Sequence, residues 1–200
     1  QNPITTTTTY AYNNPTHKLP TSITQTGSGD TYETRTKYPA DYLTASDLSS
    51  DPYIAAIGKM KTTMHMHNYP IEVLQLKNGN IIGGSVSKYK TFGTHDIEVH
   101  EQYNLETATA LTEGAYTPVT INGSSFTLDS RLKLAYTLNY NSMGDISSFV
   151  RPKAGKQYTF TWSGNTHLLL SQTIENISST STPANLTTTY AYDALFKQLS

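Results

Sequence analysis

A short aromatic phrase near both ends of the chain most constrains what the chain can fold into. Residues 9–13 read Thr-Tyr-Ala-Tyr-Asn, residues 189–193 read Thr-Tyr-Ala-Tyr-Asp, and residues 136–146 contain a looser copy. Aromatic or apolar residues at a spacing of two, followed by Asn or Asp, predict a strand that runs into a turn. The positions that define the copies are Tyr10, Tyr12 and Asn13; Tyr136, Leu138, Tyr140, Asn141, Gly144 and Ile146; and Tyr190, Tyr192 and Asp193. Such self-similarity is typical of repeat proteins, so we expect these residues to serve packing and repetition.

The composition favours a folded, β-rich chain. The 200 residues are 36% hydrophobic and only 14% charged, and 15 of them are Tyr. Tyr and the abundant Thr are enriched in strands because aromatic and branched side chains pack well on a pleated surface. The net charge of -1 provides no basic excess of the kind that binds nucleic acid or anionic lipid, so we expect neither partner.

The absence of Cys and of long apolar runs restricts the class of protein further. Without Cys, the fold contains no disulfide and no thiolate nucleophile or metal ligand. No apolar run approaches the roughly 20 residues that cross a bilayer, so we expect no membrane span. Low charge, abundant Thr, Ser and Asn, and zero Cys resemble bacterial secreted or cell-surface proteins, and we expect that localisation.

Alternating residues and turn signals predict a long antiparallel meander. Asn78-Gly79 between two apolar runs is a strong hairpin signal because Asn-Gly suits a type I′ turn. Gly83-Gly84 in the returning strand predicts a bulge or a close backbone approach. Further strands are predicted over residues 96–105, 116–121, 125–128, 132–140, 146–151, 157–162, 167–177 and 186–192. The predicted fold class is therefore mainly β, with an antiparallel, curling sheet.

An earlier hairpin is predicted around residues 27–30, and its returning strand has two different faces. Alternation places Tyr32, Thr34, Thr36 and Tyr38 on one face and Glu33, Arg35 and Lys37 on the other. Because successive side chains of a strand point to opposite sides, we assign the aromatic face to packing and the charged face to solvent.

One amphipathic helix interrupts the β pattern. Asp51 offers an N-cap, and Pro52 suits the first helical turn. Ile54, Ile57 and Met60 recur at a spacing of three. This pattern predicts a short helix over about residues 52–63 whose apolar stripe covers a sheet.

The chain is expected to form a single β-rich segment over residues 1–200. Residues 178–185 are small or polar with little to bury, which predicts an exposed loop. The first residue is Gln1 rather than Met, and a strand over residues 186–192 would need a partner after Ser200. We therefore expect a processed or trimmed fragment of a longer array.

Residues 136–146 resemble the tyrosine-aspartate (YD) repeat of RHS-type proteins, whose unit is aromatic-x-aromatic-Asp-x-x-Gly-x-hydrophobic. Residues 190–193 match the first half of that unit, and residues 10–13 match it with Asn for Asp. Residues 66–89 and 103–106 also resemble segments of Bacteroidetes-type YD-repeat proteins. The resemblance implies stacked hairpins in a large secreted or surface-displayed shell, which in some members encloses a toxin.

The resemblance implies a non-catalytic structural or interaction segment, a shell wall or surface scaffold, and no enzyme. The first and last copies lack the Gly of the unit, and the chain contains neither a toxin-like segment nor the self-cleavage motif of the family. The expected partner is the remainder of its own parent chain, with an encapsulated toxin or a surface carbohydrate as a further partner. We expect no cofactor.

A carbohydrate-binding module is the first alternative. Tyr158, Phe160 and Trp162 share one face of a predicted strand and could form a platform on which sugar rings stack. The same stripe is also typical of a sheet core.

A glycoside hydrolase is the second alternative, and the histidines offer a candidate metal site. Such a hydrolase needs two carboxylates about 5–9.5 Å apart. No pattern selects a pair among the candidates Glu72, Asp96, Glu98, Glu101 and Glu106. The His-rich positions His65, His67, His95 and His100 lack the His-Glu-x-x-His signature, so we expect no metal.

Overall fold

Antiparallel strands and one α-helix make up the structure, a computed structural model that describes residues 5–93, 96–164, 166–177 and 185–192. Eleven of the strands form one antiparallel sheet, and two more form a separate hairpin. The mainly β fold class, the antiparallel sheet and the single helix predicted from the sequence are confirmed. No helix in these residues is long and apolar enough to cross a membrane.

The order of strands in the large sheet follows the order of the chain. The elements are β1 Thr7–Ala11, β2 Ser22–Gly27, β3 Asp30–Lys37, α1 Pro52–Thr62, β4 Glu72–Lys77, β5 Asn80–Phe92, β6 Asp96–Leu105, β7 Thr120–Asn122, β8 Ser125–Thr127, β9 Leu132–Tyr140, β10 Ile146–Arg151, β11 Lys156–Trp162, β12 Leu169–Asn176 and β13 Leu186–Thr189. Only the β7–β8 hairpin leaves the sheet, so β6 is followed there by β9. The described strands therefore form a meander with no other strand inserted out of order.

Two compact units divide the chain. The first lies within Gln1–Lys90 and Gln102–Lys133, and the second lies within Thr91–Glu101 and Leu134–Ser200. The single segment predicted from the sequence stays a prediction. Residues 178–184 of the predicted loop lie outside the described residues, and Asn185 is exposed.

The first unit contains the hydrophobic core. Most of its fully buried apolar side chains come from α1 and from strands β4 and β5, and they include Ile54, Ile57, Met60, Leu76 and Val86. In the second unit, Ile97 is the only buried apolar side chain among the described residues. Burial of apolar area is the main stabilising term in folding, so the first unit has the larger share of it.

Helix α1 begins where its capping residues predict. The Asp51 side chain accepts hydrogen bonds from the backbone N–H groups of Tyr53 (2.8 Å) and Ile54 (3.1 Å), which satisfies donors that have no partner within the helix. Pro52 occupies the first turn, where its missing N–H costs nothing. The last residue, Thr62, is one position before the predicted end.

Two glycine signals of the sequence have their expected geometry. Asn78 and Gly79 both have positive φ, 50° and 77°, as a type I′ turn requires. The pairing of β4 with β5 steps from Gly83 to Ile81 and leaves Ile82 as the extra residue of a bulge. A Cβ on Gly84 would lie 2.9 Å from the carbonyl oxygen of Val73, so the predicted close backbone approach is also present.

The predicted strand over residues 116–121 is mostly absent, because only Thr120–Asn122 is a strand. Residues 113–115, directly before the predicted strand, form a short 3-10 helix. Two residues of the predicted strand form hydrogen bonds with a side chain rather than with another strand. The Tyr116 hydroxyl and the Val119 N–H both donate to the Glu72 carboxylate. This segment therefore covers the sheet instead of extending it.

The faces of β3 also differ from the prediction. Lys37 lies opposite Glu72 in β4, and directly opposed residues share a face of the sheet. Glu72 is buried, whereas Tyr32, on the face assigned to packing, is 46% exposed. The charged face of β3 is therefore on the packed side of the sheet, where Glu72 supplies a matching charge.

Gly58 tests the packing of α1 against the segment before it. Gly→Ala in a helix normally stabilises a protein by about 0.5–1 kcal/mol. At Gly58, however, a Cβ would lie 2.1 Å from the backbone nitrogen of Asp47 and 2.3 Å from the carbonyl carbon of Ser46. We expect Gly58→Ala to lower the free energy of unfolding by about 1–3 kcal/mol, measured by urea denaturation.

Gly114→Ala is the matched control for Gly58→Ala. A Cβ at Gly114 would meet no atom within 4 Å, and we expect the unfolding free energy to change by less than about 0.5 kcal/mol. Equal stability of the two variants would contradict the close packing of α1.

Candidate functional site

A cavity of about 460 Å³ in the first unit is the candidate site. It lies between the loop after β1, strands β3 to β5, and the segment that follows residue 112. Its lining consists of Asn13, Asn14, Pro15, Thr21, Arg35, Thr36, Lys37, Asp41, Glu72, Leu74, Ile81, Glu113, Tyr116 and Pro118.

Glu72 is the most unusual residue of this lining because it is a carboxylate that is only 1% exposed. Its Oε1 accepts hydrogen bonds from the Tyr116 hydroxyl at 2.8 Å and the Val119 N–H at 2.9 Å. Its Oε2 lies 2.9 Å from Lys37 Nζ. That ion-pair contact does not have hydrogen-bond geometry, and Oε2 accepts no hydrogen bond from the described residues.

Two tyrosine hydroxyls beside Glu72 remain protonated. Burial raises the pKa of Tyr116 well above its usual range, and the Glu72 charge raises it further. The same two causes, in the same order, raise the pKa of Tyr42. A buried charge is tolerated only when polar partners replace its hydration, and the Tyr116 hydroxyl is one such partner at any ordinary pH.

The other charged groups of the cavity lining already have partners. Arg35 donates from Nε to Glu33 Oε1 (2.8 Å) and from Nη1 to Glu113, and both carboxylates raise the pKa of its guanidinium. Asp41 accepts hydrogen bonds from Asn14 Nδ2 (2.7 Å) and from the Tyr38 N–H (2.8 Å). The charged side chains at the rim of the cavity are therefore held by ion pairs and hydrogen bonds.

Asp129 fixes the segment that carries Tyr116. Its buried carboxylate accepts hydrogen bonds from the Thr117 N–H at 2.8 Å and from Arg131 Nε at 2.8 Å. The hydrogen bonds from Arg131 are the main cause that holds the pKa of Asp129 well below its usual range, and the Thr117 N–H contributes. These contacts orient Tyr116 towards Glu72.

The aromatic residues considered for sugar binding lie in the second unit and do not line the cavity. Tyr158, Phe160 and Trp162 are all half-buried in β11. The Tyr158 ring stacks on Phe149, with centroids 5.7 Å apart, and Trp162 Nε1 donates to the Ile146 carbonyl at 2.7 Å. Contacts of this kind hold rings within a sheet.

The structure brings only one of the candidate carboxylates to the cavity, namely Glu72. Asp96, Glu98, Glu101 and Glu106 are not part of its lining. Two other carboxylates, Asp41 and Glu113, do line the cavity. Asp41 accepts a hydrogen bond from Asn14, and Glu113 forms an ion pair with Arg35. No pair of candidate acids therefore converges there.

The candidate histidines that the structure describes form no group of three metal ligands. The rings of His65 and His67 are 5.8 Å apart, and His100 Nδ1 is 3.9 Å from Glu101 Oε1. His95 lies outside the described residues. Within the described ranges, no three His, Cys, Asp or Glu side chains are grouped so that they could hold a metal ion.

The middle copy of the aromatic phrase has the full strand and turn. Asn141 Oδ1 accepts hydrogen bonds from the backbone N–H groups of Met143 (2.9 Å) and Asp145 (3.0 Å), and Gly144 has a φ of 84°. Tyr136 contacts Phe149, Leu138 pairs with Phe149 across the strands, and Ile146 begins β10 opposite Tyr140. Asn141 therefore bonds its own turn, and Gly144 adopts the conformation that suits glycine.

The outer copies differ in environment. Tyr10 and Tyr12 are 53% and 59% exposed, and Asn13 lines the cavity. Tyr190 and Tyr192 are half-buried, and the Tyr192 hydroxyl donates to the Leu169 carbonyl at 2.8 Å. Asp193 lies outside the described residues.

Sequence reasoning missed Lys37 and Tyr116 as partners of Glu72. One signal was present: Glu72 is the only charged residue between Ile71 and Leu76. A carboxylate next to apolar residues in a strand indicates a buried and paired group. The sequence does not name the partners, since the Tyr116 hydroxyl comes from 44 positions away.

Tyr116→Phe tests the hydrogen bond to Glu72. Loss of a hydrogen bond to a charged group costs about 1.5–3 kcal/mol, and we expect the free energy of unfolding to fall by that amount. Tyr10→Phe is the control because its side chain is exposed, and it should change stability by less than about 0.5 kcal/mol. Equal denaturation midpoints for the two variants would contradict the role of the Tyr116 hydroxyl.

The lowered pKa of Asp129 predicts a specific sensitivity to acid. Because the folded pKa lies below the unfolded value of about 3.9, the ionised group stabilises the fold fully above that pH. This contribution is lost as the pH falls towards the folded pKa. We expect Asp129→Asn to be less stable than the wild type at about pH 7 and to lose less stability on acidification. Parallel pH profiles of thermal unfolding would contradict this.

Comparison with known proteins gives no family for the chain. No protein-family model matches it, and no curated protein is similar to it in sequence. Support for a function therefore comes from its own residues and their arrangement.

Proposed function

We propose that this chain is a non-catalytic structural or interaction segment, a shell wall or surface scaffold, of a larger YD-repeat protein. The parent protein would be bacterial and either secreted or displayed on the cell surface. The first partner of the segment would be the remainder of its own parent chain. An encapsulated toxin or a surface carbohydrate would be a partner of the assembled protein.

The same six-residue phrase overlaps the first and the last of the described strands, and this observation carries the proposal. Residues 7–12 and residues 187–192 both read Thr-Thr-Thr-Tyr-Ala-Tyr. The first copy includes β1 and the second includes most of β13, which are the first and last strands in the order of the sheet. A phrase that recurs at the first and last described strands of a meander supports a repeating array.

The backbone bonds of the two copies complement each other. The Ala11 carbonyl accepts a hydrogen bond from the Thr21 N–H (2.8 Å), on the side of β2, whereas the Tyr190 N–H donates to the Leu170 carbonyl (2.9 Å), on the side of β12. Ala11 is the fifth residue of the phrase and Tyr190 is the fourth, and alternate residues of a strand direct their backbone groups to opposite edges. The phrase can therefore bond a β12-like strand on one edge and a β2-like strand on the other.

The exposure and composition of the phrase support a role as the strand that joins two neighbouring hairpins of the array. Residues 7–10 and 186–189 are exposed, and they are rich in Thr rather than in large apolar side chains. Exposed strand edges are templates for pairing with a further strand, and polar side chains limit indiscriminate association. A strand between two hairpins of an array needs this combination.

A graft tests the array directly. We would place a second copy of residues 13–37, which contains β2 and β3, directly after Tyr192. We expect it to pair with β13 as β2 pairs with β1, and to raise Tm by about 2–4 °C for each kcal/mol gained. Amide hydrogen exchange at Thr187 and Thr189 should slow at least about tenfold, because their N–H groups alternate with that of Tyr190.

The control for the graft has the same composition, with the order of residues 22–27 scrambled. It should leave both Tm and the exchange of these two amides at their wild-type values. A native graft that gives neither gain nor protection would overturn the array proposal.

A further inference from the structure

The last described strand, β13, contacts β12 through groups that the six-residue phrase supplies. Hydrogen bonds between this copy of the phrase and β12 include those of the Tyr190 N–H with the Leu170 carbonyl (2.9 Å), of the Tyr192 hydroxyl with the Leu169 carbonyl (2.8 Å) and between the hydroxyl groups of Thr187 and Thr173 (3.0 Å). The first copy has the same groups at the same positions, Thr7, Tyr10 and Tyr12. Residues 7–12 can therefore make these contacts with a β12 strand as residues 187–192 do.

The edge of β1 that would face such a strand is its outer edge, since β1 is the first strand in the order of the described sheet. The Ala11 carbonyl points towards β2, and alternate residues of a strand share that direction. Thr8 and Tyr10 therefore direct their N–H groups to the outer edge. They hold the second and fourth positions of the phrase, which in β13 and the residue after it are Thr188 and Tyr190, on the side of β12. One copy of the phrase can thus keep its bonds to β2 while it bonds a β12 strand.

The exposure of the two copies makes an exchange between them nearly balanced. All four residues of β13 are exposed, including Leu186, its one large apolar side chain, at 64%. Little apolar area is therefore lost when β13 leaves β12. The exposed rings of Tyr10 and Tyr12 would enter the place where the phrase tyrosines are half-buried. Because entering rings bury what leaving rings expose, a small loss of bonding in β13 should favour the exchange.

We propose that β12 pairs with residues 7–12 of a second copy of this chain in place of its own β13. The shared strand keeps its bonds to β2 of its own copy and adds bonds to β12 of the other copy. The contact joins two different surfaces of the chain, so it is heterologous and extends to dimers and larger species. This inference rests on the array proposal, since it requires that the phrase be bonded along both edges.

A proline in β13 tests the exchange in the full chain. Thr188→Pro removes an N–H that faces β12, whereas Thr189→Pro, the matched control, removes one that faces away from it. We expect sedimentation velocity to give an association constant at least about tenfold higher for Thr188→Pro, with concentrations up to about 100 μM to cover a micromolar Kd. Equal association constants for the two variants would overturn the proposal.

A second proline shows which strand enters. Thr8→Pro removes an N–H on the outer edge of β1 and leaves the bonds to β2, a position at which proline is tolerated. Added to Thr188→Pro, it should return the association constant to that of the wild type. In the Thr188→Pro protein, the amides of Thr8 and Tyr10 should exchange at least about tenfold more slowly in the associated state. Association that persists in the double variant, or that leaves these two amides unprotected, would contradict the exchange.

Tyr190→Pro is the alternative variant, in case Thr188→Pro does not fold. It removes the N–H that donates to the Leu170 carbonyl, so it should strengthen association in the same way. A folded Tyr190→Pro protein that associates no more than the wild type would also overturn the proposal. The strand graft reports on the outer edge of β13, whereas these variants report on the outer edge of β1. A stabilising graft without exchange between copies would therefore support the array and refute only this inference.

Discussion

The buried carboxylate of Glu72 is the interaction on which the arrangement of the first unit depends. It joins β4 to β3 through Lys37 and to the segment after residue 112 through Tyr116 and the Val119 N–H. A carboxylate that is 1% exposed is stable only if such partners replace its hydration. The segment therefore has to lie over the sheet rather than pair with an edge, and a cavity remains where it meets β3 to β5. One buried carboxyl group thus contacts both the segment that covers the sheet and the strands beneath it.

The first unit also places a cation among aromatic rings. Lys88 Nζ lies 4.7 Å, 5.4 Å and 5.1 Å from the ring centroids of Tyr53, Tyr103 and Phe126, which belong to α1, β6 and β8. A cation over aromatic faces is attracted by about 0.5–2 kcal/mol, more when it is desolvated. Charged groups in this unit therefore connect its layers. The described residues of the second unit rely on cross-strand rings such as Phe149 with Tyr136 and Tyr158.

Local signals in the sequence predicted most elements because those elements depend on neighbouring residues. The Asn78-Gly79 turn and the Asp51 cap need only a few adjacent positions, and alternation located the strands from β9 to β12 to within two residues at either end. The contact of Glu72 with Tyr116 joins residues 44 positions apart, and no local pattern encodes it. For the same reason, the face of β3 was assigned incorrectly: Lys37 resembles a solvent residue until its partner across the strands is known. The cavity was unpredictable because it depends on these non-local contacts.

The aromatic phrase shows how far a repeated sequence determines a repeated environment. Tyr10 and Tyr12 are mostly exposed, whereas Tyr190 and Tyr192 are half-buried. The two pairs nevertheless belong to identical six-residue segments, residues 7–12 and 187–192. Packing of these rings is therefore decided by the neighbouring strands and not by the phrase itself. What the phrase does supply in both places is an extended, Thr-rich strand whose two edges can each form a ladder. In the proposed array, such a strand would provide the continuity, and the residues between its copies, which here include Glu72, could differ from one unit to the next.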